Sequence, residues 1–340
     1  LTVTTADVSV IVTTYTERRW ECLVDALASL RRQTLAPREV IVVVDHNPKL
    51  LSRVRDEMRD EMGDVLAVES RHPPGLAGAR NAGLAVARGT VVAFLDDDAE
   101  AWPDWLERLL STYSDGRVVG VGGSIEPQWQ THRPEWLPEE LDWVVGCSYA
   151  GLPTRVASVR NLIGCNMSFR REAALGIGGF RTGFGRVGAV PLGCEETEFC
   201  IRLRQRWPDQ VLIHQPRARV AHRVPAERGR LRYLARRCYS EGLSKAQVAR
   251  SLGSQDGLST ERSYVLRTLP RAVVRGLAES ARGEGPGGLK RSAAVISALL
   301  LTAGGYCHGR LRHSLASSGR WQAAVSARPI SAAGRSRRPS

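Results

Sequence analysis

The sequence predicts an α/β fold: a mostly parallel sheet with helices on both faces, followed by a basic helical extension. Three observations carry that reading. Short β-rich apolar runs alternate with helix-periodic segments over residues 8–111, the pattern of successive strand–helix–strand units. Three of these strand-like runs end in polar or acidic residues, at the sheet edge where open α/β folds bind ligands. Past residue 222 the strand signals stop and the chain turns basic and amphipathic.

Residues 8–13 (VSVIVT) read as the first buried strand, and 21–32 as a helix with Leu23, Ala26, Leu27 and Leu30 at helical spacing. A second strand over 40–44 ends at Asp45, and a charged helix covers 50–62. Strand 66–68 leads through the Pro73-Pro74-Gly75 turn into a helix over 78–87. Strand 90–95 ends in Asp96-Asp97-Asp98, and 102–111 is helical again. Then the pattern loosens. Strands are expected at 118–123 and 165–170, a helix at 196–207, and two short strands at 211–214 and 219–222. Residues 127–143, rich in Pro and Trp, read as a loop lining a cleft. Basic amphipathic helices are expected at 231–251 and 264–278. An apolar helix at 293–306 has the length of a core or interfacial helix rather than a spanning one. The tail over 317–340, rich in Ser, Ala and Arg from Ser326 on, is expected to be disordered.

The 340 residues, 43% hydrophobic and 24% charged, suffice for one large domain or two ordinary ones. No basic-then-apolar leader follows Leu1, so no signal peptide is expected. The seven cysteines are scattered and form no CxxC, which reads as reduced cytosolic thiols rather than a disulfide framework or zinc site. The net charge of +13 divides unevenly, −7 over residues 1–200 and +20 over 201–340, where nearly all the cations are Arg. No zinc-finger spacing or aromatic RNA-binding pattern accompanies it, so nucleic acid is not the expected partner. An anionic membrane surface or a phosphate-bearing partner fits better. No GxGxxG follows the first strand, which argues against a dinucleotide oxidoreductase.

The candidate chemistry lies at the strand ends. Thr13-Thr14-Tyr15, Asp45-His46-Asn47 and Asp96-Asp97-Asp98 would converge at one sheet edge. Carboxylates gathered there repel one another unless a cation or a donor-rich ligand joins them; solvated turns are the plainer alternative. Alternate Asp residues directly after VVAFL can offer oxygens to one hard cation, Mg2+ or Mn2+, whose other ligands are waters and substrate phosphates. Arg80, near a helix N-terminus, could contact a phosphate in bidentate fashion or simply cap a turn. Glu195, Glu196 and Glu198 open a helix after a glycine-rich segment. That suits the helix dipole and equally a loop presenting a general base.

Taken together and in order, VSVIVTTYTERRWECLVDALASLRRQT, VIVVVD, GLAGARNAGLAVARGTVVAFLDDDAE, GCNMSFRR and GCEETEFCIRLR resemble family 2 glycosyltransferases of GT-A fold, over roughly residues 7–222. RCYSEGLSKA (237–246) is also similar to a subgroup acting on polyprenyl- or dolichyl-phosphate-linked sugars. The resemblance implies an inverting transfer of a sugar from a nucleotide-sugar donor to a glycan or polyprenyl-phosphate-linked acceptor. It implies that Thr13, Tyr15 and Glu17 surround the nucleoside and that Asp45 accepts the N3–H of uracil or thymine. Arg80 would contact the diphosphate, and Asp96 the ribose or a metal-bound water. Asp98 would ligate Mn2+ or Mg2+, with Asp97 an alternative because the triplet leaves the register ambiguous. Glu196 stands where the family's general base is usually an Asp, and Glu195 beside it is the other candidate. Asn166 and Arg170 lie in a segment that usually borders the acceptor.

Four residues outside those motifs complete the expectations. His222, at a strand end, reads first as a structural histidine and second as a metal or diphosphate ligand. Trp129, Trp136 and Trp143 fall seven apart. In their Pro-rich context they suit either core packing or an aromatic wall for a sugar or lipid acceptor, and Trp136 is assigned to the acceptor side. The expected organisation is a donor half over 7–115, an acceptor half over 116–222 and a helical extension over 223–316. The extension would rest on the inner face of the membrane from the cytoplasm, or be merely solvated.

Overall fold

The computed structural model describes residues 5–61, 65–185, 192–253, 263–283 and 286–326. The first part is a run of parallel strand–helix units: β1 (Thr5–Thr14), α1 (Trp20–Arg31), β2 (Ala36–Val44), α2 (Pro48–Glu61), β3 (Val65–Glu69), α3 (Leu76–Val86) and β4 (Val91–Asp96). Then come β5 (Ala99–Ala101), α4 (Trp105–Ser111), β6 (Val118–Trp129), β7 (Ala157–Val159), β8 (Asn166–Arg170), α5 (Arg171–Gly176), α6 (Glu195–Arg206) and β9 (Val211–Val224). They form one sheet in the order β3-β2-β1-β4-β8-β6-β9-β5, with β7 also on β9. β8 runs antiparallel between β4 and β6, while β6 and β9 are parallel.

Both faces of the sheet are covered, which is why β1, β2 and β4 are apolar on both sides. On one face Leu23, Leu27, Trp105 and Leu106 pack from α1 and α4. On the other Phe94, Phe169, Phe180 and Phe199 pack beneath α3, α5 and α6, with the Phe180 and Phe199 rings stacked at 4.2 Å. The parallel register sets Thr13 beside Val43 and Asp96, so the ends of β1, β2 and β4 meet at one edge. That alignment positions the site.

The two short strands expected at 211–214 and 219–222 are one strand, β9, with a register shift where Gly123 and Ser124 face Gln215 and Arg219. A side chain at Gly123 would lie 1.7 Å from the Ala218 carbonyl oxygen. Asn166 fixes this irregularity. Its amide donates to the Ser124 and Ala218 carbonyls at 3.0 and 2.9 Å and accepts from Trp105 Nε1 at 2.8 Å. Fully buried, Asn166 is therefore a scaffold residue and not part of an acceptor cleft. Arg170 is corrected likewise. It pairs in register with Val91, at the far end of β4 from Asp96, and donates to the carbonyls of Val118 and Tyr113.

The expected Pro- and Trp-rich loop is part strand, since β6 continues to Trp129, and part 3-10 helix over Glu139–Val145. Beyond β9 lie α7 (Leu231–Leu252), α8 (Leu269–Ala281) after a π-turn at Tyr264–Thr268, and α9 (Gly287–Ser326). α7 and α9 cross at glycines. A side chain on Gly242 would meet the Thr302 carbonyl oxygen at 2.1 Å, and one on Gly305 the Tyr239 carbonyl oxygen at 2.1 Å. α9 runs past the expected start of the disordered tail at 317; residues 327–340 lie outside the described residues. Its segment Gly287–Arg312, with a best-window mean hydropathy of 1.2, is long and apolar enough to cross a membrane, and 33% of that window is buried within the protein. The 14-residue apolar stretch expected here thus belongs to a longer helix.

Candidate functional site

A cavity of about 1000 Å³ opens at the shared edge of β1, β2 and β4, large enough for a nucleotide and a second ligand. Thr13, Tyr15, Asp45, Arg80, Asp96, Asp97, Asp98, Glu195 and Glu196 all line it. Residues distant in sequence thus converge as the strand-end argument expects. Glu17, Asn166, Arg170 and Trp136 do not line it. Glu17 instead pairs with Lys49 at 3.2 Å, and Trp136 packs half-buried on the main core. Trp143 is the tryptophan of the three that faces the cavity, its Nε1 donating to the Tyr264 hydroxyl at 3.1 Å.

At the end of β2, Asp45 accepts the Gly75 N–H at 2.9 Å through Oδ2 and contacts His46 Nδ1 at 2.8 Å through Oδ1. A carboxylate has about four lone-pair positions, so Asp45 keeps acceptor capacity toward the cavity. Gly75 caps α3 at φ 134°, a conformation only glycine adopts readily. Tyr15 is 46% exposed at the rim, with the Arg19 guanidinium 5.7 Å from its ring centre.

The aspartate triplet divides by function. Asp97 is buried and held by its neighbours, accepting from Thr14 Oγ1 at 2.8 Å and Arg19 at 2.7 Å. Burial pushes its carboxyl up to about 6 against the pull of Arg19. Asp98 faces His222 Nε2 at 3.4 Å, with Arg19 at 3.2 Å and Arg228 at 3.6 Å. Burial opposes ionisation of Asp98, yet the His222 imidazole and the two guanidiniums hold the carboxyl well below the usual range. Asp96 is more open and lies 3.4 Å from Arg80.

Asp98 and His222 are the pair that fits a divalent cation, one hard oxygen and one imidazole nitrogen beside the more open Asp96. Among the described residues no cluster of three His, Cys, Asp or Glu side chains could hold a metal alone. The set suits an ion completed by diphosphate oxygens and water. Asp97 is engaged by Thr14 and Arg19 and does not face His222, whereas Asp98 does. His222, read first as structural, stands in the cavity wall. Arg19 and Arg228 carry no motif signal in the sequence; only their proximity in chain to Tyr15 and His222 hints at them.

Arg80, 1% exposed, ties three elements together: Glu195 at 3.0 Å, Asp96 at 3.4 Å and the Gly164 carbonyl at 3.0 Å. It is neither a turn cap nor a surface residue. Cys194, in the left-handed region at φ 69°, begins α6 and directs the two acids inward. Glu195 is held by Arg80. Glu196 faces the cavity without an ion pair among the described residues. Burial, reinforced by Glu195 beside it, raises the Glu196 carboxyl to about 8, a proton affinity suited to a general base.

The segments 141–153 and 158–165 and the C-terminal extension supply much of the remaining wall. Tyr233, Arg237, Glu241 and Lys245 reach in from α7, and Leu269 and Leu299 from α8 and α9. The basic face seen in the sequence is in part an inner wall, which local periodicity gives no means of knowing.

Residues 9–177 match the family model described as glycosyl transferase family 2. The chain is 37% identical over 239 residues to the glucosyl-dolichyl phosphate glucuronosyltransferase of Haloferax volcanii, covering 70% of this chain and 76% of that protein. It is 30% identical over 239 residues to the succinoglycan biosynthesis protein ExoM of Rhizobium meliloti, covering 68% and 72%. Among solved structures, the mannosyltransferase PcManGT from Pyrobaculum calidifontis, in complex with GDP-Man and Mn2+, superposes with a TM-score of 0.54 at 20% identity. The match covers 88% of this chain and 89% of that one and shows a shared GT-A fold.

Proposed function

The chain belongs to glycosyl transferase family 2 and is a glycosyltransferase, and on that premise we propose that it moves a sugar from a UDP- or TDP-sugar to a hydroxyl of a lipid-linked saccharide. The observation that supports this best is the meeting, in one cavity, of Asp45, Arg80, Asp96 and Asp98 with Glu196 and the wall of α7, α8 and α9. Residues 7–222 form the catalytic unit in this reading, and 223–316 complete the acceptor side.

Asp45 accepts the N3–H of the base, a donor that uracil and thymine have. Asp98 and His222, with Asp96, would hold Mn2+ or Mg2+. The ion would supply positive charge to the leaving diphosphate. Arg80, fixed by Glu195, holds Asp96 in place and contributes its own charge at that edge. Glu196 accepts the proton of the acceptor hydroxyl as the oxygen attacks the anomeric carbon from the face opposite the diphosphate, which inverts the configuration. The haloarchaeal relative, whose printed name gives a dolichyl phosphate-linked substrate, supports a lipid-linked acceptor. Exposed Leu266, Val274, Leu300 and Leu311 on the C-terminal helices support peripheral contact with an anionic membrane.

The test is a thermal-shift panel of UDP, TDP, GDP and CMP, each with Mn2+, Mg2+ or EDTA. Saturation near a hundred times Kd adds about 2.7 kcal/mol. The expected result is stabilisation by UDP or TDP that requires the metal and is lost in Asp98→Asn. Stabilisation by none of the four overturns the reading.

A further inference from the structure

The segment RCYSEGLSKA, to which the transfer chemistry gives no task, forms the middle of α7 and packs against the start of α6. Cys194 and Ile201 share an apolar cluster with Val248 and Leu252. The polar side chains of the segment reach the residues just before the two glutamates. The Gly193 N–H donates to Ser244 Oγ at 3.1 Å, and Cys194 Sγ donates to Glu241 Oε1 at 3.3 Å. Both acceptors are themselves fixed and buried. The Ser244 hydroxyl donates to the Ser240 carbonyl at 3.0 Å. Glu241 pairs with Arg237 at 2.7 Å and Lys245 at 3.3 Å, each one turn away along α7.

These contacts fall where the backbone most needs them. Cys194 lies at φ 69° and ψ 15°, the left-handed region that disfavours any residue with a Cβ. It caps α6 without a side-chain cap bond, because its thiol turns to α7 instead. Gly193 is confined as well, since a Cβ there would lie 3.2 Å from the Arg237 guanidinium and 3.6 Å from Glu241 Oε2. Glu195 and Glu196 follow directly, so the dihedrals of Cys194 set where both carboxylates point: Glu195 onto Arg80 at 3.0 Å, Glu196 into the cavity. A strained backbone persists only where its surroundings over-determine it, and α7 supplies one hydrogen bond to each of the two residues.

We infer that Ser244 and Glu241 are positioning residues for the transfer: by holding Gly193 and Cys194 they aim Glu196 at the acceptor hydroxyl. α7 then acts on the chemical step and is more than a wall of the cavity. This goes beyond the glycosyltransferase reading and rests on its assignment of Glu196 as the base. Glu196 reports its own placement, because burial beside Glu195 is what raises its carboxyl. The other charged groups that face it are Arg80 from α3 and Glu241 from α7, the latter paired with Arg237 and Lys245. Ser244 carries no charge, so it can move that titration only through the backbone it holds.

The test is an infrared pH titration of the full chain, reading the protonated-carboxyl band that Glu196→Gln removes, together with hydrogen exchange at the Gly193 amide. In the wild type the band should titrate at about 8. In Ser244→Ala the midpoint should fall by about one unit, toward the ordinary carboxyl value, and the Gly193 amide should exchange about tenfold faster. Cys194→Ala and Cys194→Ser repeat the test from the other partner: the first should lower the midpoint, and the second, which keeps a donor for Glu241, should restore it. UDP with Mn2+ should bind every variant as it binds the wild type, which separates a local change from loss of the fold. The inference falls if Ser244→Ala binds UDP with Mn2+ normally and keeps the wild-type midpoint, even with faster exchange at Gly193, since the contact would then be structural only. It falls too if Cys194→Ser does not restore what Cys194→Ala loses. If the wild type has no such band at about 8, the inference falls together with the assignment of the base, whereas the donor reading stands or falls separately on the binding of UDP and Mn2+.

Discussion

Glu195 and Glu196 are adjacent in the chain and both line the cavity, but Glu195 is paired with Arg80 whereas Glu196 has no ion pair among the described residues. With its carboxyl raised to about 8 from a usual 4.5, Glu196 accepts a proton only when ionised. The kcat/KM profile should therefore rise with pH through about 8 with unit slope, and Glu196→Gln should lower kcat by about 10²–10⁴-fold and remove that limb. The stability consequence has the opposite sign. Between 4.5 and 8 the folded state holds a proton that the unfolded state has released, so stability falls as pH rises. Glu196→Gln should accordingly have a higher Tm than the wild type at pH 8 and lose that slope in a Tm–pH series. Asn166 illustrates the other kind of buried polar residue. Asn166→Ala leaves Trp105 Nε1 and two carbonyls unpaired and should cost about 3 kcal/mol in urea unfolding. Nucleotide affinity at the refolded site should stay unchanged.

Among the elements, the α7–α9 pair shows how a helix acquires a place that its own pattern does not specify. The sequence marks 231–251 as basic and amphipathic and 293–306 as apolar. Neither says which helix faces which, because helix periodicity reports a face and not a partner. The contact is set by Gly242 and Gly305, where the backbones approach too closely for any side chain. Gly242→Ala should destabilise the protein by about 1–3 kcal/mol through overpacking, read as a lower urea midpoint. UDP binding at the β1–β4 edge should not weaken with it. β9 makes the same point for strands. Its two halves read as separate strands because Pro216 interrupts the apolar pattern, and only the facing Gly123 and the Asn166 amide let them continue as one.

For the molecule as a whole, charge is the property that sequence reports most directly. The +20 over residues 201–340 is partly internal, since Arg237, Arg228 and Lys245 face the cavity. The remainder, with exposed Leu266, Val274 and Leu300, should carry the protein to anionic lipid. Flotation with vesicles of phosphatidylglycerol and phosphatidylcholine should show binding that weakens between 50 and about 500 mM salt and disappears with pure phosphatidylcholine. Leu266→Asp with Leu300→Asp should abolish it without altering UDP binding. Binding that ignores both salt and lipid charge would count against an electrostatic contact.

The sequence by itself determined the sheet edge and the residues that reach it. Apolar strand runs are local signals, and the acids after β2 and β4 are fixed to their strand ends by covalent adjacency. It determined equally that two glutamates open α6. Which carboxylates are free was decided only by tertiary structure. Asp97 is engaged through Arg19, and Glu195 through Arg80, 115 residues away in the chain. Tertiary structure alone also turned Asn166 and Arg170 into scaffold, brought His222 to Asp98, and folded the basic extension over the cavity. Each of these depends on pairings between distant segments, and neither hydrophobic period nor motif spacing encodes which distant segments meet.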